Sequence, residues 1–188
     1  GMRQRVAERI PFGATLSPGG AYAIWFEHGE WRRHAFATGR TVSLTGGLKD
    51  VRFEQETWDT PSDPAPWGVG GWTRGDRSVL LYDRYDVWER DPAGTRAPRR
   101  VTGSAGRRSR TALRVVDLER DEPTLDPSQP LLLRAFRETT KQAGFWTDRL
   151  DRGGAPTELL FTDHAYGTPS RARKGETADP YAVWLSEI

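Results

Sequence analysis

Few residues in this chain combine a reactive type with a spacing that would let them act together. Cys is absent, which removes a thiol nucleophile, a disulfide framework and any zinc site built on thiolates. The three histidines, His28, His34 and His164, are scattered, whereas a metal site needs ligands whose spacing converges on one face. His28 falls in a hairpin turn, and His34 lies on a strand where it is expected to face solvent. Asp59, Asp63 and the run Glu119-Arg120-Asp121-Glu122 supply carboxylates but lack the Asp-x-Asp-x-Asp-Gly order that wraps calcium. They read as solvated tips of Pro-rich loops. Thr102-Gly103-Ser104-Ala105-Gly106 comes nearest to the Gly-x-Ser-x-Gly of a nucleophile elbow. It has Thr at the first Gly and follows a strand that closes a repeat unit, so it reads as a flexible connection. No catalytic, metal or cofactor residue is assigned.

Charge adds little direction. Twenty-eight basic residues against 26 acidic ones leave +2 over 188 residues, a small excess and not a basic face. Arg107-Arg108-Ser109-Arg110, with Arg99-Arg100 nearby, is the one basic cluster. Without a recognised nucleic-acid module it reads as a solvated inter-repeat loop. No apolar run approaches the ~20 residues that a membrane helix needs. The Gly ahead of Met2 reads as a tag-cleavage scar, with no signal region behind it.

The aromatic residues carry more information, with 8 Trp, 5 Tyr and 7 Phe. A chain this polar but this aromatic folds around a core. Short runs of Val, Leu, Ile and aromatics bounded by Gly, Pro, Asp and Ser are strand signals, and helical periodicity barely appears. Ala21-Tyr22-Ala23-Ile24-Trp25-Phe26, Trp31-Arg32-Arg33-His34-Ala35-Phe36 and Thr41-Val42-Ser43-Leu44-Thr45 form a predicted meander.

The same grammar returns about 56 residues later. Leu16-Ser17-Pro18-Gly19-Gly20 answers to Trp72-Thr73-Arg74-Gly75-Asp76, and Tyr22-Ala23-Ile24-Trp25-Phe26 to Ser78-Val79-Leu80-Leu81-Tyr82. Trp31 matches Trp88, and Leu44-Thr45 matches Val101-Thr102. A third copy runs through Leu131-Leu132-Leu133, Phe145-Trp146 and Pro156-Thr157-Glu158-Leu159-Leu160, and a fourth begins at Pro180-Tyr181-Ala182-Val183-Trp184. With one more strand ahead of each turn, as at residues 67–72 and 113–118, each copy makes a four-stranded antiparallel unit.

That pattern predicts an all-β fold of antiparallel four-stranded blades, a partial β-propeller of about three blades plus part of a fourth. The units span residues 7–47, 66–104, 111–163 and, incompletely, 168–188. A β-sandwich has a similar strand count but no repeated internal pattern. Open terminal blades leave unpaired edges, so the chain is expected to dimerise or exchange strands, as an excised piece would.

In this arrangement Trp25, Trp72, Trp88, Trp146 and Trp184 fill the wedge between neighbouring sheets. Trp67 differs, because it ends a long Pro-rich connection over residues 46–66. That connection and the turn between a blade's second and third strands emerge on the same face. Asp59, Asp63 and Trp67 are therefore expected to share a rim with Arg84 and Tyr85, a mixed aromatic and charged surface that could contact a peptide.

The stretch from Gly71 to Trp88, with its turn, apolar strand, Tyr82-Asp83-Arg84-Tyr85-Asp86 and Trp88, closely resembles a propeller blade of bacterial members of the prolyl oligopeptidase family. Asp59-Thr60-Pro61-Ser62-Asp63-Pro64-Ala65-Pro66-Trp67-Gly68 before it and Asp126-Pro127-Ser128-Gln129-Pro130-Leu131-Leu132-Leu133 after it agree. The resemblance covers about residues 16–184. It implies a two-part serine peptidase whose propeller screens access to an α/β-hydrolase domain, with an exported parent. This chain would then be non-catalytic, with a peptide substrate or that hydrolase domain as its partner. The alternative is a stand-alone TolB-like propeller that holds protein partners. An enzyme acting by itself has no motif behind it.

Overall fold

The computed structural model describes residues 5–118, 122–171 and 183–184. Among these the chain is all-β, built from three four-stranded antiparallel sheets in which strands follow one another in sequence order. The first sheet holds β1 (Ala14–Leu16), β2 (Tyr22–Glu27), β3 (Glu30–Ala35) and β4 (Arg40–Ser43). The second holds β5 (Val69–Trp72), β6 (Val79–Tyr82), β7 (Val87–Arg90) and β8 (Arg99–Arg100). A short helix, α1 (Ala105–Ser109), leads to the third: β9 (Thr111–Val115), β10 (Pro130–Arg137), β11 (Ala143–Arg149) and β12 (Thr157–Thr162). Finally β13 (Ser170–Arg171) pairs antiparallel with β14 (Val183–Trp184). The described strands form no closed sheet.

Local sequence sets the hairpins. His28 and Gly29 join β2 to β3 with φ of 51° and 79°, the pair of left-handed residues that a two-residue hairpin loop requires to match strand twist. Between them the strands stay in register over six pairs, from Tyr22 opposite Ala35 to Glu27 opposite Glu30.

The sheets stack face to face, with the second in the middle. All four residues of β6 are buried, which strand periodicity explains only if both faces are covered. Val79 and Leu81 join Ile24, Phe26, Trp31 and Leu44 of the first sheet in one core. Leu80 and Tyr82 turn the other way into a second core with Leu113, Leu131, Leu133, Ala135 and Trp146 of the third sheet. Trp72 stacks on Tyr22 across the first seam at 6.3 Å and 5° between planes. Trp72, Trp88 and Trp146 lie in the cores between sheets, as their repeated positions predict, whereas Trp25 is buried but belongs to neither core and lies on the face of β2 opposite Ile24 and Phe26. The Trp184 side chain lies outside the described residues.

At the end carrying the first turn of each sheet, polar groups tie neighbours together. Asp76, buried and with φ of 55°, accepts hydrogen bonds from Ser17 Oγ at 2.6 Å, Gly19 N at 2.9 Å and Ala21 N at 3.2 Å. The turn of the second sheet thus clamps the turn of the first. Between the second and third sheets the backbone does the same work: Leu125 N donates to Trp72 O at 2.7 Å and Arg74 N to Leu125 O at 3.1 Å.

Two expectations need correction. His34 does not face solvent; it is 4% exposed, its Nδ1 lies 3.0 Å from Thr41 Oγ1, and its ring meets Phe36 edge-on at 5.4 Å. Cross-strand neighbours Ala23 and Thr41 flank it, contacts that an isolated strand lacks. The segment around Ser104 is also not a loose connection. It ends in α1, and Asp86 holds it from beneath, as described below.

Two predictions follow from the stacking and from the turn at Asp91. Leu80→Ala and Leu81→Ala, each 0% exposed on opposite faces of β6, should each cost about 2–5 kcal/mol in urea unfolding. A variant near wild type would mean that its face of the sheet is not packed. Burial pushes the Asp91 carboxyl up, but the Thr95 hydroxyl and the amides of Ala93, Arg96 and Thr95 hold it lower, at a pKa of about 2. A depressed folded pKa gives stability that is complete above the unfolded value and is lost as pH falls through the folded one. Asp91→Asn should therefore lower stability by about 2 kcal/mol at neutral pH, with the difference from wild type shrinking between pH ~4 and ~2.

Candidate functional site

The β6–β7 hairpin, Asp83 to Asp86, organises the opposite end of the sheets. Asp83 is fully buried and its Oδ1 accepts from the amides of Tyr85 at 2.8 Å and Asp86 at 2.7 Å. Its Oδ2 accepts from Trp88 Nε1 at 3.0 Å. One carboxylate thus sets the hairpin's shape and fixes the indole below it. Asp86, equally buried, accepts from Thr102 Oγ1 at 2.7 Å, Gly106 N at 3.0 Å and Arg107 N at 3.2 Å. Burial raises the Asp86 carboxyl, the Thr102 hydroxyl opposes that rise, and the nearby Asp83 adds to it. Gly106 is required here, since a Cβ would stand 2.5 Å from Tyr85 O.

With both aspartates turned inward, Arg84 reaches the rim, whereas Tyr85, expected there from sequence, is 7% exposed and lies beneath the guanidiniums. Arg84 binds Glu138, in the hairpin between β10 and β11, through two bonds: Nε to Oε1 at 3.0 Å and Nη2 to Oε2 at 2.8 Å. Its Nη1 reaches Glu56 Oε2 at 3.3 Å. Tyr85 donates to Glu138 Oε2 at 2.8 Å, and the guanidiniums of Arg84 and Arg107 lie 5.2 and 5.3 Å from its ring centre. The Arg84 hydrogen bonds hold the Glu138 carboxyl below its usual range against the pull of burial. Arg107, on α1, bonds Glu56 Oε1 at 3.4 Å and lies 3.6 Å from Asp83 Oδ2.

Glu56 reaches this cluster because the long connection is partly a strand pair. Gln55 N donates to Ala65 O at 2.8 Å and Trp67 N to Phe53 O at 2.8 Å, with Glu54 bridged to Pro66. Phe53 is buried in the first core. Beside this ladder an open cleft of about 600 Å³ is lined by Lys49, Asp50, Arg52, Glu56, Arg84 and Arg107. A smaller cleft of about 380 Å³ at the other end includes Ser78, Glu89, Arg96 and Arg99. There Glu89 already receives Ser78 Oγ at 2.6 Å and Arg99 Nη2 at 2.7 Å.

The structure brings together only part of the rim read from sequence. Arg84 and Tyr85 stand side by side in one network. Trp67 instead packs against the second core, and the Arg114 guanidinium lies 5.5 Å from its ring. Asp59 and Asp63 are exposed on a loop folded on itself by Trp58 Nε1 donating to Ser62 O at 2.8 Å. Neither makes a hydrogen bond or ion pair among the described residues. Glu56, Glu138, Arg107 and the two hairpin aspartates were not singled out from sequence as site residues. The motif Tyr82-Asp83-Arg84-Tyr85-Asp86 was the available signal, because two acids flanking Arg-Tyr in a tight hairpin must turn one pair of side chains inward.

Ser104 sits between β8 and α1 with φ of 67°, yet its hydroxyl receives Arg100 Nη1 and no His is bonded to it. The basic run at residues 107–110 is solvent-exposed, as expected, but it lies on α1 and its cap and not in a loop, and Arg107 also pairs with Glu56 and Asp83. Among the described residues no group of three or more His, Cys, Asp or Glu is placed to hold a metal ion, and no helix is long and apolar enough to cross a membrane. No family model, curated protein or solved structure matches the chain.

Arg84→Ala and Glu138→Ala, taken singly and together through urea unfolding, should show a coupling of about 1–2 kcal/mol at neutral pH. Because the folded Glu138 carboxyl is depressed, that coupling is present above the ordinary carboxylate range and disappears as pH falls through the lowered value. Additive single variants at neutral pH would show that solvent screens the pair.

Proposed function

We propose that this chain is a propeller segment without catalytic chemistry of its own, which screens and docks peptides beside the hydrolase domain of a prolyl-oligopeptidase-like serine peptidase. The observation that carries the reading is the stacking of three like sheets in chain order, each a four-stranded meander, with the long connection and the second hairpins at one end. In a propeller those strands radiate from an axis, β1, β5 and β9 innermost. Rigid blades hold loops at the mouth of the axial channel, where loops carry recognition. The resemblance of residues 71–88 to blades of that family supplies the peptidase context, and Arg84, held over the buried Tyr85 ring, supplies a charged contact point of the kind found in interfaces. As an isolated chain it is a dimer or strand-exchanged oligomer, since open blades leave edges that template pairing.

The test is incubation of the purified chain with peptide and ester substrates, read for hydrolysis by mass spectrometry and for binding by tryptophan fluorescence. Peptide binding without turnover is the expected result. Hydrolysis abolished by substituting one of the chain's own residues would overturn the reading. Retention of a folded protein partner with no affinity for peptides would favour a free-standing TolB-like scaffold.

A further inference from the structure

The cleft at the rim is lined by four cations, Lys49, Arg52, Arg84 and Arg107, and two acids, Asp50 and Glu56. Arg84 is satisfied by the two short bonds to Glu138, and Arg107 approaches Asp83 at 3.6 Å. Between these guanidiniums Glu56 makes two long contacts, 3.3 Å to Arg84 and 3.4 Å to Arg107. Charge-assisted bonds to guanidinium are ordinarily about 2.7–2.9 Å. Glu56 therefore spans the gap loosely, one oxygen to each cation. Lys49 and Arg52 line the same cleft, are exposed, and carry no hydrogen bond or ion pair among the described residues. Arg52 cannot drift far from the rim, because the next residue, Phe53, is 1% exposed in the core.

We propose that this cleft is a binding site for an oxyanion, and specifically for the carboxylate of an acidic peptide side chain or peptide C-terminus. Lys49 and Arg52 would meet the incoming charge, and Arg84 and Arg107 would turn from the loosely held Glu56 towards it. Guanidinium suits this role, since its planar donors match a carboxylate in pairs. The cleft volume of about 600 Å³ is within the usual range of ligand pockets. Glu56 acts as an internal competitor, occupying the position between two guanidiniums until a better-placed anion arrives. The site deepens the peptide-docking reading and rests on it only for the source of the carboxylate.

The experiment is isothermal titration of the full chain at low ionic strength with four probes: inorganic phosphate, a short peptide ending in Asp-Glu, its C-terminally amidated Asn-Gln counterpart, and a Lys-rich peptide. The acidic peptide and phosphate should bind, the neutral counterpart should bind at least roughly tenfold more weakly, and affinity should fall as salt screens the charges. Lys49→Ala and Arg52→Ala, exposed and without partners among the described residues, should each weaken binding several-fold, whereas Glu56→Gln should tighten it by removing the competing charge. Phosphate binding with no binding of any peptide would keep the oxyanion site and sink the peptide-docking reading. Equal binding of acidic and neutral peptides, untouched by Lys49→Ala and Arg52→Ala, would sink the oxyanion site and leave peptide docking standing. No binding by any probe would overturn both.

Discussion

Burial of the middle sheet on both faces is the constraint from which the remaining structure follows. A strand that faces water on one side alternates apolar and polar residues, but β6 reads Val79-Leu80-Leu81-Tyr82 without a break. Such a strand is stable only when a sheet lies against each face, which fixes the order of the three sheets and sets β2 and β10 on opposite sides of it. The connections must then run along the ends of the stack. Polar chemistry is displaced to those ends, where turns from neighbouring sheets come within reach of each other.

Each end meets the same problem, that turns expose backbone amides where neighbouring sheets crowd them, and each solves it with buried carboxylates. Asp76 collects amides from the first sheet's turn, and Asp91 collects those of its own loop. Asp83 and Asp86 divide the task at the rim, one serving its own hairpin and the other the entry to α1. A carboxylate accepting several N–H bonds replaces water for each of them, which offsets the cost of burying the charge. Asp86 shows the limit of that device: beside the buried Asp83 its carboxyl is raised, so three donors do not fully compensate burial and a like-charged neighbour. The rim arginines are left to pair with Glu56 and Glu138, acids carried by other segments.

What the sequence made legible follows from range. Strands, hairpins and the buried tryptophans depend on period-2 patterning and turn residues, all local, and the repeat added the equivalence of whole units. The rim network depends on contacts between residues 28, 51 and 54 positions apart, and no local pattern says which acid will sit opposite Arg84. Its position at the end of the long connection predicts Trp67 on the rim. The pairing of residues 53–55 with 65–67 turns it inward instead, under Arg114. The burial of His34 escapes local pattern for a related reason: one strand's alternation tells which face a residue is on, not what lies over that face. The helix at residues 105–109 is too short to leave a periodic signal, and it exists because Asp86 holds the amides of Gly106 and Arg107.

The same distinction between local and long-range information explains why the rim is a better place for recognition than either core. A core residue has neighbours on every side and its exchange is felt throughout the stack. At the rim, Asp83 and Asp86 hold the hairpin and the helix from below and Arg84 ties the hairpin to Glu138, so the shape of the surface does not depend on the exposed Lys49 and Arg52. Lys49, Arg52 and Glu56 belong to a connection whose course is fixed by Phe53 and by its pairing with residues 65–67, and their own side chains are free of that duty. Scaffold and display are thus borne by different residues, which lets the charge pattern of the cleft change with little effect on the sheets beneath it.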